Sequence, residues 1–439
     1  MSASSDPPCA AALVGEGAAR ALLVHRHAAV YLPDAPEILL WVAVERDPGG
    51  RVRLAAAPAA GGEPPAAEHL DVAAFARRFG APCIDLGRPL PLAPVAVPKP
   101  WGREIWFTGI EARGQAGVLG DGGVLPLPWL LSIAATEVLG AGQRELNLLK
   151  ILDPLPDPVY GDLYFELHEE KREVYVVTGV DPVSWPDGRG AIRYGFAPEA
   201  RAAYASDDEF RAAYLASVRD YEQIRRAIEA LEAQWRAAEG HAPRAPVAPA
   251  TLRRWRAALS PGLRREEERR RRTMESFTQL RHIRVGDVVE VPRYLPHALQ
   301  HGVRTVEFQT PVYERRILSF AQQVLTQDHW DTELAVAKMH VVPPPESPPV
   351  AVREQPGVTR ERIVAFADFR VDRLALDPGA RWSLDLGGAY ALIMNIRGRA
   401  WVDGVELAEE AAVLAPAACG RVQIGAAAEP ALLLISRPN

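Results

Sequence analysis

Hydrophobic residues occur along this chain in short runs that glycine, proline and aspartate interrupt, a pattern typical of β-strands joined by turns. The runs at 38–45 and 51–55 flank an Asp-Pro-Gly-Gly turn and predict a hairpin. Further strand-like runs lie at 173–178 and 305–309. Residues 359–439 carry such runs at intervals of roughly 8–12 residues, which favours a sandwich or a barrel. The pattern therefore predicts a mainly β protein.

One central segment follows a helical period instead. Between residues 206 and 235, apolar residues recur at intervals of three and four, which predicts an amphipathic helix. Ser206, followed by Glu209, is a capping box at its N-terminus. A second helical region covers 251–279 and includes the charged run 264–272. Because glutamates are interleaved with its arginines, we interpret this run as a solvated helix face, with a nucleic-acid patch as the alternative.

The change of period and two proline-rich connectors divide the chain into four parts. We expect an α+β element over residues 1–95 and a helical insertion over 198–280. A first barrel is expected from residues 96–197 together with 281–345, and a second barrel from residues 355–439.

Composition and charge narrow the class of protein. The chain has 439 residues, of which 48% are hydrophobic, so it can bury sizeable cores. A net charge of −6 gives no general attraction to nucleic acid or to anionic membranes. The three cysteines form no CxxC motif, which argues against a disulfide framework or a zinc ribbon and fits a reducing compartment. There is no long apolar run and no signal-peptide pattern, so the cytoplasm is the expected location.

Two distant segments carry residues with metal-ligand chemistry. Glu166 and His168 lie two residues apart, so on a strand they project from the same face. After a short turn, Glu173 opens the next predicted strand. Far downstream, His297 follows a strand and a tight turn and can supply a fourth ligand from a neighbouring strand. Imidazole combined with carboxylate suits Zn²⁺, Mn²⁺ or Fe²⁺, so the four residues together predict a metal centre.

These two segments resemble the paired motifs of the cupin superfamily, and they are most similar to those of type I phosphomannose isomerases, the zinc-dependent mannose-6-phosphate isomerases. The Lys171-Arg-Glu173-Val-Tyr175 segment is similar to that family's Lys-x-Glu-x-Trp-Tyr strand. The resemblance extends over roughly residues 96–439 and includes three further segments: Lys99-Pro-Trp-Gly-Arg-Glu104, Leu149-Lys-Ile-Leu-Asp153 and Val306-Glu-Phe-Gln309.

The resemblance implies a fold and a ligand set. It implies two cupin-type jelly-roll barrels with a helical insertion in the first, preceded here by the small N-terminal α+β element. No histidine follows His340, as expected if the terminal barrel is metal-free. Residue by residue, it makes Glu166, His168, Glu173 and His297 the ligands of one divalent ion, with zinc the first choice and manganese or iron the alternatives.

The resemblance also implies an activity, a mannose-6-phosphate isomerase-like conversion of aldose to ketose with a sugar phosphate as the small-molecule partner. Such an isomerase must move a proton between C1 and C2. Glu307, two residues before Gln309, is our candidate base, with a structural partner of an arginine as its alternative role. Lys171 is a candidate for binding the phosphate or the sugar, although a solvated lysine fits its position equally well.

The chain departs from the family in three places. Glu166 stands where the family usually has glutamine, which adds one negative charge and disfavours a phosphorylated sugar. Glu169 stands where a proline is usual. The segment after Gln309 is shorter, so that either Arg315 or Arg316 corresponds to the family's catalytic arginine.

These departures concern the substrate more than the fold and leave two alternatives to the isomerase. One is another metal-dependent cupin enzyme, such as an oxygenase or an epimerase, with the same ligands. The other is a non-catalytic sugar-binding cupin. The sequence predicts no nucleic-acid or membrane partner, and it leaves the oligomeric state open.

Overall fold

The computed structural model describes residues 9–13, 20–27, 38–59, 71–346 and 348–439, with backbone alone for 12–13, 20–27 and 352–354. The chain forms two compact units, each assembled from separate stretches of sequence. Unit 1 comprises Met1–Ala96, Trp106–Lys150 and Ser347–Asn439, and unit 2 comprises Val97–Ile105 and Ile151–Glu346. The parts of the expected N-terminal element at 1–8, 14–19, 28–37 and 60–70 lie outside the described residues.

Twelve strands and three helices precede the predicted metal motif in the described residues. The strands are β1 (Arg20–His27), β2 (Ile38–Arg46), β3 (Val52–Pro58), β4 (Cys83–Asp85), β5 (Leu90–Ala93), β6 (Val95–Lys99), β7 (Gly102–Trp106), β8 (Ile110–Glu111), β9 (Gly114–Gln115), β10 (Gly117–Gly120), β11 (Gly123–Pro126) and β12 (Leu148–Pro154). The helices are α1 (Ala10–Leu13), α2 (Val72–Phe79) and α3 (Leu127–Leu139).

The central part of the chain supplies eight strands and the remaining α-helices. The strands are β13 (Phe165–Leu167), β14 (Glu173–Val180), β15 (Gly190–Phe196), β16 (Thr278–Ile283), β17 (Val288–Val291), β18 (His297–Leu299), β19 (Val303–Gln309) and β20 (Arg316–Ser319). The helices are α4 (Pro198–Ala202), α5 (Asp207–Ala238), α6 (Pro249–Ala258), α7 (Pro261–Glu275) and α8 (Thr332–Lys338).

The last part of the chain is built from strands and one short 3₁₀-helix, Ala417–Cys419. The strands are β21 (Val350–Gln355), β22 (Val358–Ala365), β23 (Phe369–Leu376), β24 (Arg381–Asp385), β25 (Ala391–Arg397), β26 (Ala400–Val402), β27 (Val405–Leu407), β28 (Ala412–Ala415), β29 (Arg421–Ala426) and β30 (Ala431–Pro438).

Unit 1 contains a jelly-roll-type sandwich of two antiparallel sheets. The larger sheet has the order β11-β10-β5-β28-β25-β30-β23-β22-β21, and the smaller has the order β24-β29-β26-β27. Alternate residues of the strands enclose an aliphatic core that includes Leu374, Ile393 and Leu433. A separate four-stranded sheet, β1-β2-β3-β4, contains the predicted hairpin, and α2 packs against it.

The unit boundaries differ from the predicted domains. Residues 106–150, which we assigned to the first barrel, lie in unit 1 together with residues 1–96 and the terminal barrel. The reason is a non-local pairing: Leu90 of β5 pairs with Leu414 of β28, and β10 continues the sheet beside β5. Such a pairing leaves no local trace in the sequence, since the two partners are separated by most of the chain.

Unit 2 is the barrel that holds the predicted site. Its two sheets have the orders β17-β14-β19-β12-β7-β6 and β16-β15-β18-β13-β20. The mainly β, two-barrel cupin-type fold predicted from the sequence is thereby confirmed. Helices α4–α7 lie between β15 and β16, at the place of the predicted helical insertion.

Helix α5 shows why the insertion folds against the barrel. The side chain of Ser206 accepts a hydrogen bond from the Glu209 backbone, so the predicted N-terminus is correct. Phe210 and Tyr214 are fully buried on the apolar stripe and contact the ring of Phe196, which lies at the end of β15. The insertion thus covers one face of the five-stranded sheet. None of the helices in the described residues is long and apolar enough to span a membrane.

Candidate metal centre

The site is built on the alternation of side chains along β13. Phe165 and Leu167 belong to the hydrophobic core of unit 2, and the ring of Phe165 contacts Phe196 at 6.2 Å. Side chains on a strand alternate between faces, so Glu166 and His168 project to the opposite side. The apolar face of β13 therefore packs towards the helical insertion, and its polar face lines the barrel interior.

All four predicted ligands come together. Glu166 pairs directly with His297 in the register of β13 and β18. One ligand atom from each of Glu166, His168 and His297 lies within 4.8 Å of the others. Glu173 approaches from β14 in the other sheet, with Oε1 3.4 Å from His168 Nε2 and Oε2 3.2 Å from His297 Nε2.

Backbone carbonyls fix the tautomer of both imidazoles. Nδ1 of His168 lies 2.9 Å from the carbonyl oxygen of Glu314, and Nδ1 of His297 lies 3.0 Å from that of Leu295. A carbonyl only accepts hydrogen bonds, so each Nδ1 carries the proton and donates it. Each Nε2 then directs a lone pair towards the carboxylates, which is how metal-binding histidines are oriented.

This donor set fits a divalent ion. Nε2 of His168 and one oxygen of Glu166 are buried and have no hydrogen-bond partner among the described residues. Two lone pairs facing carboxylate oxygens repel one another unless a cation lies between them. Ligand atoms of a tetrahedral ion bound at about 2.0–2.1 Å lie about 3.4 Å apart. The separations of 3.2 and 3.4 Å between Glu173 and the two histidines match that spacing.

The charge states also suit metal binding. Burial alone would raise the pKa of Glu173, but the charge of the adjacent Lys171 ammonium holds this pKa well below its usual value. Burial and the charge of Lys171 lower the pKa of His168, so its ring is neutral. Burial and the nearby carboxylates raise the pKa of Tyr175, which therefore stays protonated and donates to Glu173 Oε2 at 2.6 Å.

Glu307 and Lys171 both lie beside this cluster. In the register of β14 and β19, Glu307 is opposite Tyr175 and Gln309 is opposite Glu173, so these four side chains share the interior face. Glu307 is fully buried. Lys171 is also buried and places Nζ 2.7 Å from Glu173 Oε1. Lys171 therefore contacts a predicted ligand directly, which its place in a turn did not reveal.

The two candidate arginines have different environments. Arg315 lies 3.8 Å from Glu166, and its guanidinium stacks 4.4 Å from the ring centroid of Tyr164. Arg316 instead donates to Glu169 at 2.8 Å and lies 3.7 Å from Asp331. Arg315 is thus the arginine that adjoins the ligand cluster.

Three further residues of the site were not identified from the sequence. Buried Glu104, at the end of the Lys99–Glu104 motif, forms an ion pair of 3.1 Å with Lys99 and acts electrostatically on Arg315. Tyr175 lies two residues after Glu173 on a strand, a spacing that was available from the sequence. Glu314 acts through its backbone carbonyl, for which a sequence carries no signal.

Comparison with known proteins shows the fold. No family model matches the chain, and no curated protein sequence matches it. The structure is similar to mannose 6-phosphate isomerase from Bacillus subtilis, with a TM-score of 0.56 and 15% identity over 80% of this chain and 99% of that one. It is also similar to a variant of phosphomannose isomerase from Salmonella typhimurium, with a TM-score of 0.53 and 14% identity over the same shares. The chain therefore has the fold of the phosphomannose isomerases.

Proposed function

We propose that this protein is a metal-dependent aldose–ketose isomerase that acts on a sugar phosphate, with mannose 6-phosphate as the first substrate to test. The observation that carries the proposal is the convergence of Glu166, His168, Glu173 and His297 inside one barrel, beside the buried carboxylate of Glu307. The fold, which phosphomannose isomerases share, supports it.

The four ligands would hold one divalent ion, and their donor set of two imidazoles and two carboxylates makes zinc the first candidate. When bound, the ion acts as a Lewis acid for the negative charge that develops on the sugar oxygens during enediol formation. Lys171 and Tyr175 hold the two oxygens of Glu173 and so keep this carboxylate anionic and oriented.

Glu307 is the base of the proposed reaction. It removes the proton from C2 of the aldose and delivers it to C1, while the proton of the C2 hydroxyl passes to the C1 oxygen through the enediol. The aldehyde at C1 thereby becomes a hydroxyl group and the hydroxyl group at C2 becomes a ketone, without any net change in oxidation state. Its position on the interior face of β19, two residues from Gln309, places it on the same side as the ligands. Full burial excludes bulk water, which would otherwise exchange with the transferred proton.

Arg315 supplies a positive charge at the edge of the cluster. Its guanidinium can pair with a developing oxyanion or with a phosphate, since an arginine offers several donors in one plane. Arg316 is engaged by Glu169 and Asp331 and is assigned a structural role. Arg315 is therefore the arginine that we propose as the counterpart of the family's catalytic arginine.

A panel of sugar phosphates tests the proposal, with wild-type protein, Glu307→Gln and Glu170→Gln. Glu170 is exposed and close in sequence to the site, so Glu170→Gln is a control for loss of one charge. We expect Glu307→Gln to lower kcat by about 10²- to 10⁴-fold and Glu170→Gln to leave it unchanged.

Turnover that survives in Glu307→Gln contradicts the assignment of the base. Oxygen consumption by an iron-loaded protein indicates a cupin oxygenase instead. Sugar binding without any turnover indicates a non-catalytic cupin.

A further inference from the structure

The segment between β13 and β14, residues 168–172, carries the ligand His168 but belongs to no strand. We call it the ligand turn. Its backbone amides are held by side chains instead of by a sheet ladder. The Glu314 carboxylate accepts from the amides of Glu169 and Glu170, at 3.0 and 3.3 Å, and Thr310 Oγ1 accepts from Arg172 at 3.1 Å.

Glu169 extends this attachment to two more elements. One oxygen of its carboxylate accepts from Arg316 Nε at the start of β20, at 2.8 Å. The other oxygen forms an ion pair with Lys338, the last residue of α8. Glu169 itself is mostly buried, with a side-chain exposure of 17%. A single carboxylate thus connects the ligand turn to a strand and to a helix.

The position of His168 depends on this turn. The backbone carbonyl of His168 accepts a hydrogen bond from the Tyr294 amide at 2.7 Å, and Nδ1 of His168 donates to the Glu314 carbonyl at 2.9 Å. Glu314 therefore contacts the turn through both its carboxylate and its carbonyl. A shift of the turn changes the direction in which His168 Nε2 points, and metal affinity is sensitive to such orientation.

We propose that Glu169 is a positioning residue for the metal centre: by clamping the ligand turn to Arg316 and Lys338 it fixes His168 in its metal-binding orientation. The proposal rests on the proposed function, since it assumes that the site binds a divalent ion. Arg316 and Lys338 engage both oxygens of Glu169, so its proposed action on the ion is indirect. The ligand turn belongs to no strand, and the two ion pairs of Glu169 hold it in place instead. Removal of these ion pairs therefore weakens metal binding directly and affects catalysis only through the metal.

The test is a titration of metal-free protein with Zn²⁺ in competition with a chromogenic chelator. It compares wild type, Glu169→Gln and the control Glu170→Gln, which removes the same charge from the adjacent, exposed residue. We expect Glu169→Gln to weaken Zn²⁺ binding by about 10-fold, at the lower end of the effect of residues that support a ligand, and Glu170→Gln to leave it unchanged. Hydrogen exchange of metal-free protein provides a second readout, in which the amides of residues 169–172 exchange faster only in Glu169→Gln.

The outcomes separate this proposal from the proposed function. If wild type and Glu169→Gln bind Zn²⁺ equally while the protein isomerises sugar phosphates, the clamp is refuted and the function stands. If exchange increases without any loss of affinity, Glu169 is structural only and the proposal is again refuted. If wild type binds no divalent ion, both proposals fail.

Discussion

At the scale of single residues, the site is explained by which groups can accept and which can donate. The two carbonyls at the Nδ1 atoms of His168 and His297 leave both Nε2 atoms as acceptors, and Lys171 and Tyr175 keep Glu173 ionised. Acceptors that face one another in a buried space repel unless a cation or a proton lies between them. The same reasoning distinguishes the two adjacent arginines. Arg316 is engaged by Glu169 and Asp331, away from the cluster, whereas Arg315 lies beside Glu166 of the cluster.

The arginine pair provides a prediction at this scale. Arg315→Lys keeps the charge but loses the planar fork, so we expect kcat/KM to fall by about 10²-fold. Arg316→Lys serves as the matched control, since lysine keeps the positive charge that pairs with Glu169 and Asp331, and we expect less than about a 3-fold change. Steady-state kinetics on mannose 6-phosphate measure both. A larger effect at Arg316 would reverse the assignment.

A second prediction concerns acid stability. Burial raises the pKa of Asp162, but hydrogen bonds from His301 outweigh it and leave this pKa below its ordinary value. A carboxyl with a lowered folded-state pKa stabilises the protein above its unfolded pKa, near 3.9, and loses this contribution as the pH falls through the folded value. In Asp162→Asn, the free energy of unfolding should therefore fall less steeply than in wild type as the pH decreases below about 4, as measured by urea denaturation. An equal effect of Asp187→Asn, at an exposed carboxylate, would contradict this account.

At the scale of elements, features that depend on neighbours in sequence were predictable, whereas features that depend on long-range pairing were not predictable from local pattern. The spacing of Glu166 and His168, the N-terminus of α5 at Ser206 and the early hairpin were all predictable, since each depends on neighbours in sequence. Glu166 and His297 pair between strands more than a hundred residues apart in sequence. Only the family resemblance predicted that these two residues belong to one site. The orientation of Lys171 towards Glu173 was not predictable, because it depends on the conformation of an irregular turn.

The apolar stripe of α5 gives a prediction for the insertion. Phe210 is fully buried against Phe196 and Phe277, so Phe210→Ala should lower the free energy of unfolding by about 3–5 kcal/mol. Leu334→Ala removes apolar atoms from a side chain of α8 that is 56% exposed, and should cost less than about 1 kcal/mol. Chemical denaturation of both variants measures the difference. Similar losses would mean that the helix does not depend on this stripe.

At the scale of the whole molecule, the chain distributes its chemistry unevenly between the units. All four predicted ligands, the candidate base and Arg315 belong to unit 2. Unit 1 combines the N-terminal sheet with the terminal barrel, an arrangement that the sequence did not reveal because it depends on the pairing of β5 with β28.

Metal removal gives a prediction at this scale. An ion that binds only the folded state stabilises it by about 2.7 kcal/mol when its free concentration is 100 times Kd. We therefore expect Zn²⁺ to raise the Tm of metal-free wild type and to leave that of His297→Ala unchanged, as followed by calorimetry. An equal rise in both proteins would place the stabilising ion elsewhere.

Anomalous diffraction of a zinc-loaded crystal, recorded on both sides of the zinc absorption edge, would locate the ion that we propose for this barrel. We expect one strong peak per chain, within ligand distance of Glu166, His168, Glu173 and His297. A peak bounded by other residues, or no peak between these four side chains, would contradict the proposal.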